Sequence, residues 1–378
     1  VSLCVAILGC RGIPAGYGGF ETFAEQLAVR LVARGHQVTV YAEAGGKPPA
    51  DRQYQGVRIR YRRRPHWGPA STLAYDSACL WDARKGYDIV YMLGYGAAWA
   101  CWWLRLTGVP VWINVDGVEW MRSKWSTPAC LYLWAMERLS SRAATRVIAD
   151  AQAIKARFET RYPHGAPCSY VAYGADVVHA ADAAVLARWG LEPYRYLLVV
   201  ARMEPENHIE EIIRGYLLHA EGNPGAWPLM IVGNILQGTT TTYQRKLLTY
   251  SSDKVRFMDG IYDTTQLQSL RLHAAAYVHG HSVGGTNPSL LEALACGNWV
   301  IAHDNPYNRE VCGQGEQACA DYFYTPEELA IHLGTWAAFE RKQRDGCAKR
   351  ARQRIEQHYT WEAITDTYEA LMHTQCGK

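Results

Sequence analysis

The 378-residue chain has no apolar run approaching the roughly 20 residues that a bilayer-spanning helix needs. Its apolar start, VSLCVAILGC, is broken by Arg11 and has no basic leader before it, so neither a signal peptide nor a transmembrane helix is expected. No Cys-x-x-Cys pair occurs, and an odd count of 11 scattered cysteines cannot pair completely within one chain. Reduced thiols and a cytoplasmic protein are the expectation. Short internal repeats and low-complexity segments are also missing. The first Gly-rich stretch lacks both the G-x-G-x-x-G spacing and Gly-Lys-Ser/Thr, which disfavours a dehydrogenase and a P-loop NTPase. An excess of one charge is absent overall: 39 Lys+Arg against 36 Asp+Glu leaves +3. That total conceals a split, because residues 1–175 hold 21 basic and 12 acidic side chains, a net +9, and the remainder is −6.

What is present is a large core. With 49% hydrophobic residues, the length suggests about two domains. Short apolar runs recur between helical stretches: VAILG, QVTVYA, VRIRY, YDIVYML, PVWINV, RVIAD and SYVAYG. The pattern restarts with YRYLLVVAR, PLMIVGN, KVRFMDG, AAAYVHG and NWVIAHD. Strands alternating with helices imply parallel sheets covered on both faces, hence an α/β chain of two doubly wound units. The boundaries read as an N-terminal domain over 1–175, a linker over 176–193, a second domain over 194–360 and a C-terminal helix over 361–378 that packs back on the first domain. Residues 330–373 read as helix.

Two motifs carry chemistry. In RGIPAGYGGFETFAEQL, Gly18 and Gly19 open a helix after the first strand, where backbone N–H groups and the helix dipole suit a phosphate or serve only close packing. Gly280-His281-Ser282-Val283-Gly284 fits the G-x-S-x-G nucleophile elbow of hydrolases, with Asp304 and His358 or His373 downstream as partners. In an elbow the helix begins at the serine, however, and here Pro288 marks a later start. No HGGG-type oxyanion loop is visible upstream. His279 and His281 alternate on a strand with no third ligand nearby in sequence, so no metal site is expected.

The stretch GHSVGGTNPSLLEALACGNWVIAHDNPYNREV resembles the nucleotide-binding segment of family-four retaining glycosyltransferases, which have two Rossmann-like domains facing across a cleft (GT-B). ARMEPENHIEEII, IVGN and VRFMDGIYDTTQLQSL are similar to other parts of the donor domain, and RGIPAGYGGFETFAEQL and NVDGVEWMRSKW to a bacterial subgroup that includes rhamnosyltransferases of surface-polysaccharide assembly. The resemblance implies that Glu292 binds ribose, that Arg202 binds the diphosphate, and that Asp116 and Glu119 act near the donor sugar or acceptor. It makes residues 1–175 the acceptor-binding domain and 194–360 the nucleotide-sugar-binding domain, and places Gly18, Gly19, Gly233, Asn234, Gly260, Ile261, His281, Gly285, Thr286 and Asn287 around the donor. Two positions depart from the family pattern: Gly284 stands where a first Glu is usual, and Asn207 where a Lys is usual. Arg202, the backbone of 284–287 and a cation such as Arg11 would then share the diphosphate charge. No Asp-x-Asp motif of metal-dependent glycosyltransferases occurs.

The implied reaction is sugar transfer with retention from a nucleotide diphosphate, best matched to dTDP-rhamnose, onto a saccharide or polyprenyl-linked acceptor. No resident cofactor and no nucleic acid are expected. A sugar-nucleotide epimerase and a serine hydrolase using Ser282 are the alternatives. The basic half, with Arg58, Arg60, Arg62, Arg63 and Arg64 and the Trp-rich stretches WACWWLRL and KWSTPACLYLW, suggests contact with an anionic membrane surface.

Overall fold

The computed structural model describes residues 1–16, 18–68, 70–115, 117–122, 125–235, 241–337 and 341–377. The chain divides into two compact units, Val1–Tyr173 with Trp361–Lys378, and Gly174–Thr360.

The first unit is built from β1 (Cys4–Leu8), α1 (Gly19–Ala33), β2 (Gln37–Ala44), β3 (Arg52–Tyr54), β4 (Val57–Arg63), α2 (Ala70–Asp82), β5 (Ile89–Leu93), α3 (Trp102–Thr107), β6 (Val111–Asn114), α4 (Thr127–Ala143), β7 (Arg146–Ala149), α5 (Gln152–Arg161) and β8 (Cys168–Tyr170). The sheet order is β3-β4-β2-β1-β5-β6-β7-β8, parallel except where β3 runs against β4. Strands β1 and β5 are almost wholly buried, as their unbroken apolar runs require when helices cover both faces of a sheet. On α1, Phe23, Ala24, Leu27, Ala28 and Leu31 form the buried stripe, and Gly35 follows with φ +90.

The second unit contains β9 (Leu197–Val200), α6 (Ile209–Glu221), β10 (Leu229–Val232), α7 (Thr242–Leu248), β11 (Val255–Met258), α8 (Thr264–Leu272), β12 (Ala276–His279), α9 (Pro288–Ala295), β13 (Val300–His303), α10 (Pro306–Cys312), β14 (Ala320–Phe323), α11 (Pro326–Ala337) and α12 (Arg341–His358). All its strands are parallel, in the order β11-β10-β9-β12-β13-β14. This is the doubly wound Rossmann order, with its reversal between β9 and β12. One face of the sheet is sealed by Ile209, Ile212, Ile213 and Tyr216 of α6 with Leu329 and Leu333 of α11.

The last helix, α13 (Trp361–Cys376), belongs to the first unit. It is held there by Phe23 against Trp361 and Tyr368, a Tyr91–Tyr368 hydroxyl contact of 3.0 Å, and Arg34 against Glu362, Asp366 and Glu369. The stretch read as continuous helix over 330–373 is divided among α11, α12 and α13. Between the last two, the Tyr359 carbonyl accepts the Ala175 N–H and Thr360 bridges to Ala175, so backbone pairing replaces helical bonds. Two short strands, β3 and β14, were not apparent from the apolar pattern.

Candidate active site

In open α/β sheets a ligand binds beyond the carboxyl ends of the strands where the order reverses. In the second unit those ends belong to β9 and β12, and the loops that follow them are pressed together. A Cβ on Gly280 would lie 2.0 Å from the Asn207 carbonyl oxygen, and one on Gly233 would lie 2.1 Å from that of Ala201, so only glycine permits these approaches. His208 Nδ1 sits 2.9 Å from the Gly280 carbonyl and ties the same two loops.

Around this junction stand most of the expected donor residues. Arg202 follows β9 with its side chain 54% exposed, and its Nη1 is 3.5 Å from Glu204 Oε1. That separation leaves the guanidinium available to a ligand. Asn207, at the usual lysine position, is buried and donates its amide to the Arg202 carbonyl at 2.6 Å. It braces the loop rather than presenting a charge. Gly233 and Asn234 follow β10; Asn234 Oδ1 accepts from the Tyr262 hydroxyl at 2.9 Å and packs against Gly260, which precedes Ile261 after β11. Past β12 come His281, Gly284 with φ +128, Gly285 and buried Thr286. Asn287 Oδ1 then caps α9 by accepting the Ser289 N–H at 2.9 Å, and Pro288 fills the first turn.

Glu292 is one turn further along α9. Its Oε2 is 2.6 Å from Nη2 of Arg271, a guanidinium only 3% exposed, while the Glu292 side chain is 37% exposed. Arg271 also reaches Ser289 Oγ at 3.3 Å, and Ser289 Oγ in turn donates to the Val200 carbonyl at the end of β9. A buried cation thus holds one carboxylate oxygen and leaves the exposed remainder to a ligand. Sequence reasoning missed Arg271. Its signal was a lone charge in the apolar segment LRLHAAAYV, where a buried arginine demands a carboxylate partner.

Histidines border the same strand ends. His279 is buried at the end of β12, with Nε2 lacking a hydrogen-bond partner among the described residues, and burial pushes its imidazole down to about 3. His303, at the end of β13, stacks on His208 at 4.1 Å between centroids; burial, then the neighbouring His208, lowers it to about 4. Both are therefore neutral at pH 7.

Ser282 is no nucleophile elbow. Its Oγ donates to the Glu206 carbonyl at 3.0 Å, its backbone N–H goes to the same oxygen, and α9 begins only at Pro288. The hydroxyl is a tie between the loops after β9 and β12.

In the first unit, the turn before α1 is served by its own carboxylates. Glu21 accepts the Arg11 N–H at 2.9 Å, and Glu25 the Ala15 N–H at 2.5 Å. A Cβ on Gly18 would lie 2.9 Å from Glu21 Oε2, so a carboxylate stands against Gly18 at the start of the helix. Glu119 is engaged by Arg122 Nε at 2.9 Å and by the Trp125 indole N–H at 3.0 Å. Asp116 and Lys124 lie outside the described residues.

The arginine run of β4 departs from the free basic face expected. Arg58 pairs with Asp51, Arg60 with Asp51 and Asp82, Arg62 with Asp82, and Arg64 with Glu43. Three carboxylates, Asp51, Asp82 and Glu43, offset part of the charge of these five arginines, and Arg63 is exposed.

Among the described residues one group of three, His36, Glu369 and His373, has ligand atoms that all lie within 4.8 Å of one another, close enough to face a metal ion. The hydrogen bonds oppose that use. Leu3 N–H donates to His36 Nδ1 at 3.1 Å, which puts the ring proton on Nε2, facing Glu369 Oε1 at 3.0 Å. A metal would need the Nε2 lone pair. The group is an imidazole–carboxylate contact that fastens α13.

Comparison with known proteins agrees with this geometry. Residues 187–354 match the family model "Glycosyl transferases group 1", and residues 3–176 match "Domain of unknown function (DUF1972)". No curated protein matches the sequence. Among solved structures, sucrose-phosphate synthase from Thermosynechococcus elongatus is similar with a TM-score of 0.80 and 18% identity, covering 98% of both chains. Anabaena HepE in complex with UDP and glucose has a TM-score of 0.74 and 17% identity over 98% of this chain and 99% of its own. A UDP-forming trehalose-phosphate synthase from Burkholderia vietnamiensis has 0.75 and 13% over 99% and 100%. Residues 187–354 thus match the glycosyl transferases group 1 model, on a chain whose two-domain fold is that of the GT-B glycosyltransferases.

Proposed function

We propose that the chain transfers a sugar from a nucleotide diphosphate to a saccharide or polyprenyl-linked saccharide with retention, and that the donor is dTDP-rhamnose. The observation that carries the donor reading is Glu292, fixed by buried Arg271 beside the sheet's reversal point. Its free carboxylate oxygen accepts from ribose hydroxyls. The N-terminus of α9, the backbone N–H groups of 284–287 and the exposed Arg202 guanidinium meet the diphosphate, where negative charge grows as the glycosidic bond breaks. The acceptor hydroxyl attacks from the face the diphosphate leaves, and the departing phosphate takes the acceptor proton. HepE, solved with UDP and glucose, supports a nucleotide-sugar donor; the rhamnose assignment rests on the N-terminal sequence resemblance alone.

A cytoplasmic protein at the inner face of a membrane suits a polyprenyl acceptor in polysaccharide assembly. With four of the five run arginines paired, the support is apolar: the aromatic Trp81, Trp99 and Trp102 and the aliphatic Leu106 and Leu131 are all exposed, and Arg84 lies 3.9 Å over the Trp81 ring. The deciding experiment incubates the protein with a panel of labelled sugar nucleotides and a saccharide acceptor and reads the product by NMR. Retained anomeric configuration with transfer from dTDP-rhamnose is expected. Inversion would overturn the mechanism, and transfer from another donor only would overturn the sugar.

A further inference from the structure

Two of the 11 cysteines stand against each other in the second unit. Cys312 ends α10, and Cys319 directly precedes β14. The Cys319 backbone N–H donates to the Cys312 carbonyl at 2.9 Å, and the Cys319 thiol lies 3.2 Å from the same oxygen. A backbone bond of this kind holds two Cα atoms about 5–6 Å apart, the span a disulfide bridges. The Cys312 thiol is within hydrogen-bonding reach of the Cys319 sulfur. Neither cysteine has a part in the donor chemistry above.

Burial ordinarily makes a thiol inert by penalising its thiolate. It pushes up Cys10, Cys79, Cys101 and Cys168. Cys319 moves the other way although buried, because the Cys312 thiol stabilises its thiolate and the Arg354 and Arg350 guanidiniums add to that. Arg354 is fixed nearby, donating to the Val311 and Glu310 carbonyls at 2.9 and 2.8 Å. The cover over the pair is a short turn, in which residues 314–317 are exposed and Gly313 and Gly315 take φ +80 and +61. A small oxidant needs only that turn to open.

Helix α10 ties the pair to the donor loops. Just before the helix, Asn305 Nδ2 donates to the His281 carbonyl at 2.9 Å, and within it Asn308 Nδ2 donates to the His281 and His303 carbonyls at 3.0 and 2.8 Å. Cys312 is one turn beyond Asn308 on the same helix. Joining the sulfurs replaces a noncovalent contact by a covalent bond and draws this end of α10 toward β14. We infer that Cys312 and Cys319 are a dithiol that hydrogen peroxide converts to a disulfide, and that α10 carries the change to the His281 loop and weakens nucleotide binding; only the second part rests on the transferase reading. The Cys319 thiolate attacks the peroxide, whose O–O bond breaks, and becomes a sulfenic acid, while the hydroxide released takes up the thiol proton as water. The Cys312 sulfur then displaces the sulfenic hydroxyl, which leaves with the Cys312 proton as a second water. Two electrons pass from the thiols to one peroxide, and a dithiol reductant such as dithiothreitol reverses the change.

The test exposes the reduced full chain to hydrogen peroxide, denatures it in acid, and maps the alkylated tryptic peptides by mass spectrometry. Calorimetry with UDP and dTDP reads the nucleotide site before and after oxidation. The peptide holding both cysteines should be two hydrogens lighter and resist alkylation, and dithiothreitol should restore it. Nucleotide affinity should fall roughly two- to tenfold on oxidation, the worth of one neutral hydrogen bond such as those of Asn308, and Cys319→Ala should abolish both effects. Should that variant fail to fold, Cys312→Ala takes its place, and the wild-type peptide map stands without either. Both cysteines alkylated after peroxide treatment, or Cys319 carried to a sulfinic acid without pairing, would overturn the disulfide. A disulfide that leaves affinity unchanged, or a fall in affinity that persists in Cys319→Ala, would overturn the link to the His281 loop. Reduced wild type that binds neither nucleotide would instead refute the transferase reading and leave the disulfide result standing.

Discussion

Asp76, on the buried face of α2, offers the most quantitative test of how the first unit is held together. Burial, then the nearby Glu43 carboxylate, raises its carboxyl from 3.8 to about 8, and Arg64 offsets only part of this. The folded protein therefore keeps the proton through a range in which the unfolded chain releases it. Below about pH 4 both states are protonated and the residue is neutral in its effect. Between about 4 and 8 the folded state binds more protons than the unfolded, so stability is lost at about 1.4 kcal/mol per pH unit, on the order of 5 kcal/mol once the window is crossed. Asp76→Asn keeps the shape and removes the titration. Relative to wild type, the variant should gain little at pH 4 and several kcal/mol at pH 8.5. Urea denaturation read by tryptophan fluorescence is the appropriate assay, because 10 of the 14 tryptophans lie in the first unit. Comparing variant with wild type at each pH cancels the other titrating groups. A difference that does not change with pH, or that shrinks as pH rises, would refute the reasoning.

Two further outcomes bear on the donor site. Glu292→Gln keeps an acceptor for Arg271 but loses the charge, so calorimetry should show UDP or dTDP affinity falling roughly 10- to 150-fold, the worth of a hydrogen bond to a charged group, with a loss of stability smaller than that of Glu292→Ala because the buried guanidinium keeps a neutral acceptor. Glu292→Ala should lose as much affinity and also some stability, because it strands the Arg271 guanidinium; the cost stays below the roughly 3–5 kcal/mol of a fully buried pair because Glu292 is partly exposed. A folded Glu292→Gln protein with wild-type affinity removes the ribose assignment. Ser282→Ala should leave transfer within about tenfold, since one neutral hydrogen bond is worth roughly 0.5–1.5 kcal/mol, and a fluorophosphonate should not label the protein. Stoichiometric labelling at Ser282 would restore the hydrolase reading.

Most strands of both sheets were legible because parallel strands buried on two faces must be continuously apolar, as YLLVV and LMIV are; their order in the sheets came from the structure. β3 escaped notice because RQY is a polar edge of three residues, and β14 because ADYF has only its first and last residues buried. Pro288 marked the start of α9 correctly, since its preference for a first helical turn is local chemistry, and that start already separated Ser282 from an elbow serine; the Asn287 cap emerged from the structure. Glu292 was found through the family resemblance alone.

What the sequence by itself determined, then, are features set within a turn or a strand: periodicity, helix starts, glycine junctions and the helix that carries Glu292. Only tertiary structure decided which charge meets which. Arg271 reaches Glu292 from another helix, Asp51, Asp82 and Glu43 pair with arginines that looked like a basic face, and Glu369 meets His36 from the far end of the chain. A parallel crossover brings distant segments side by side, and alternation along a strand tells which way a side chain points but never what stands opposite it.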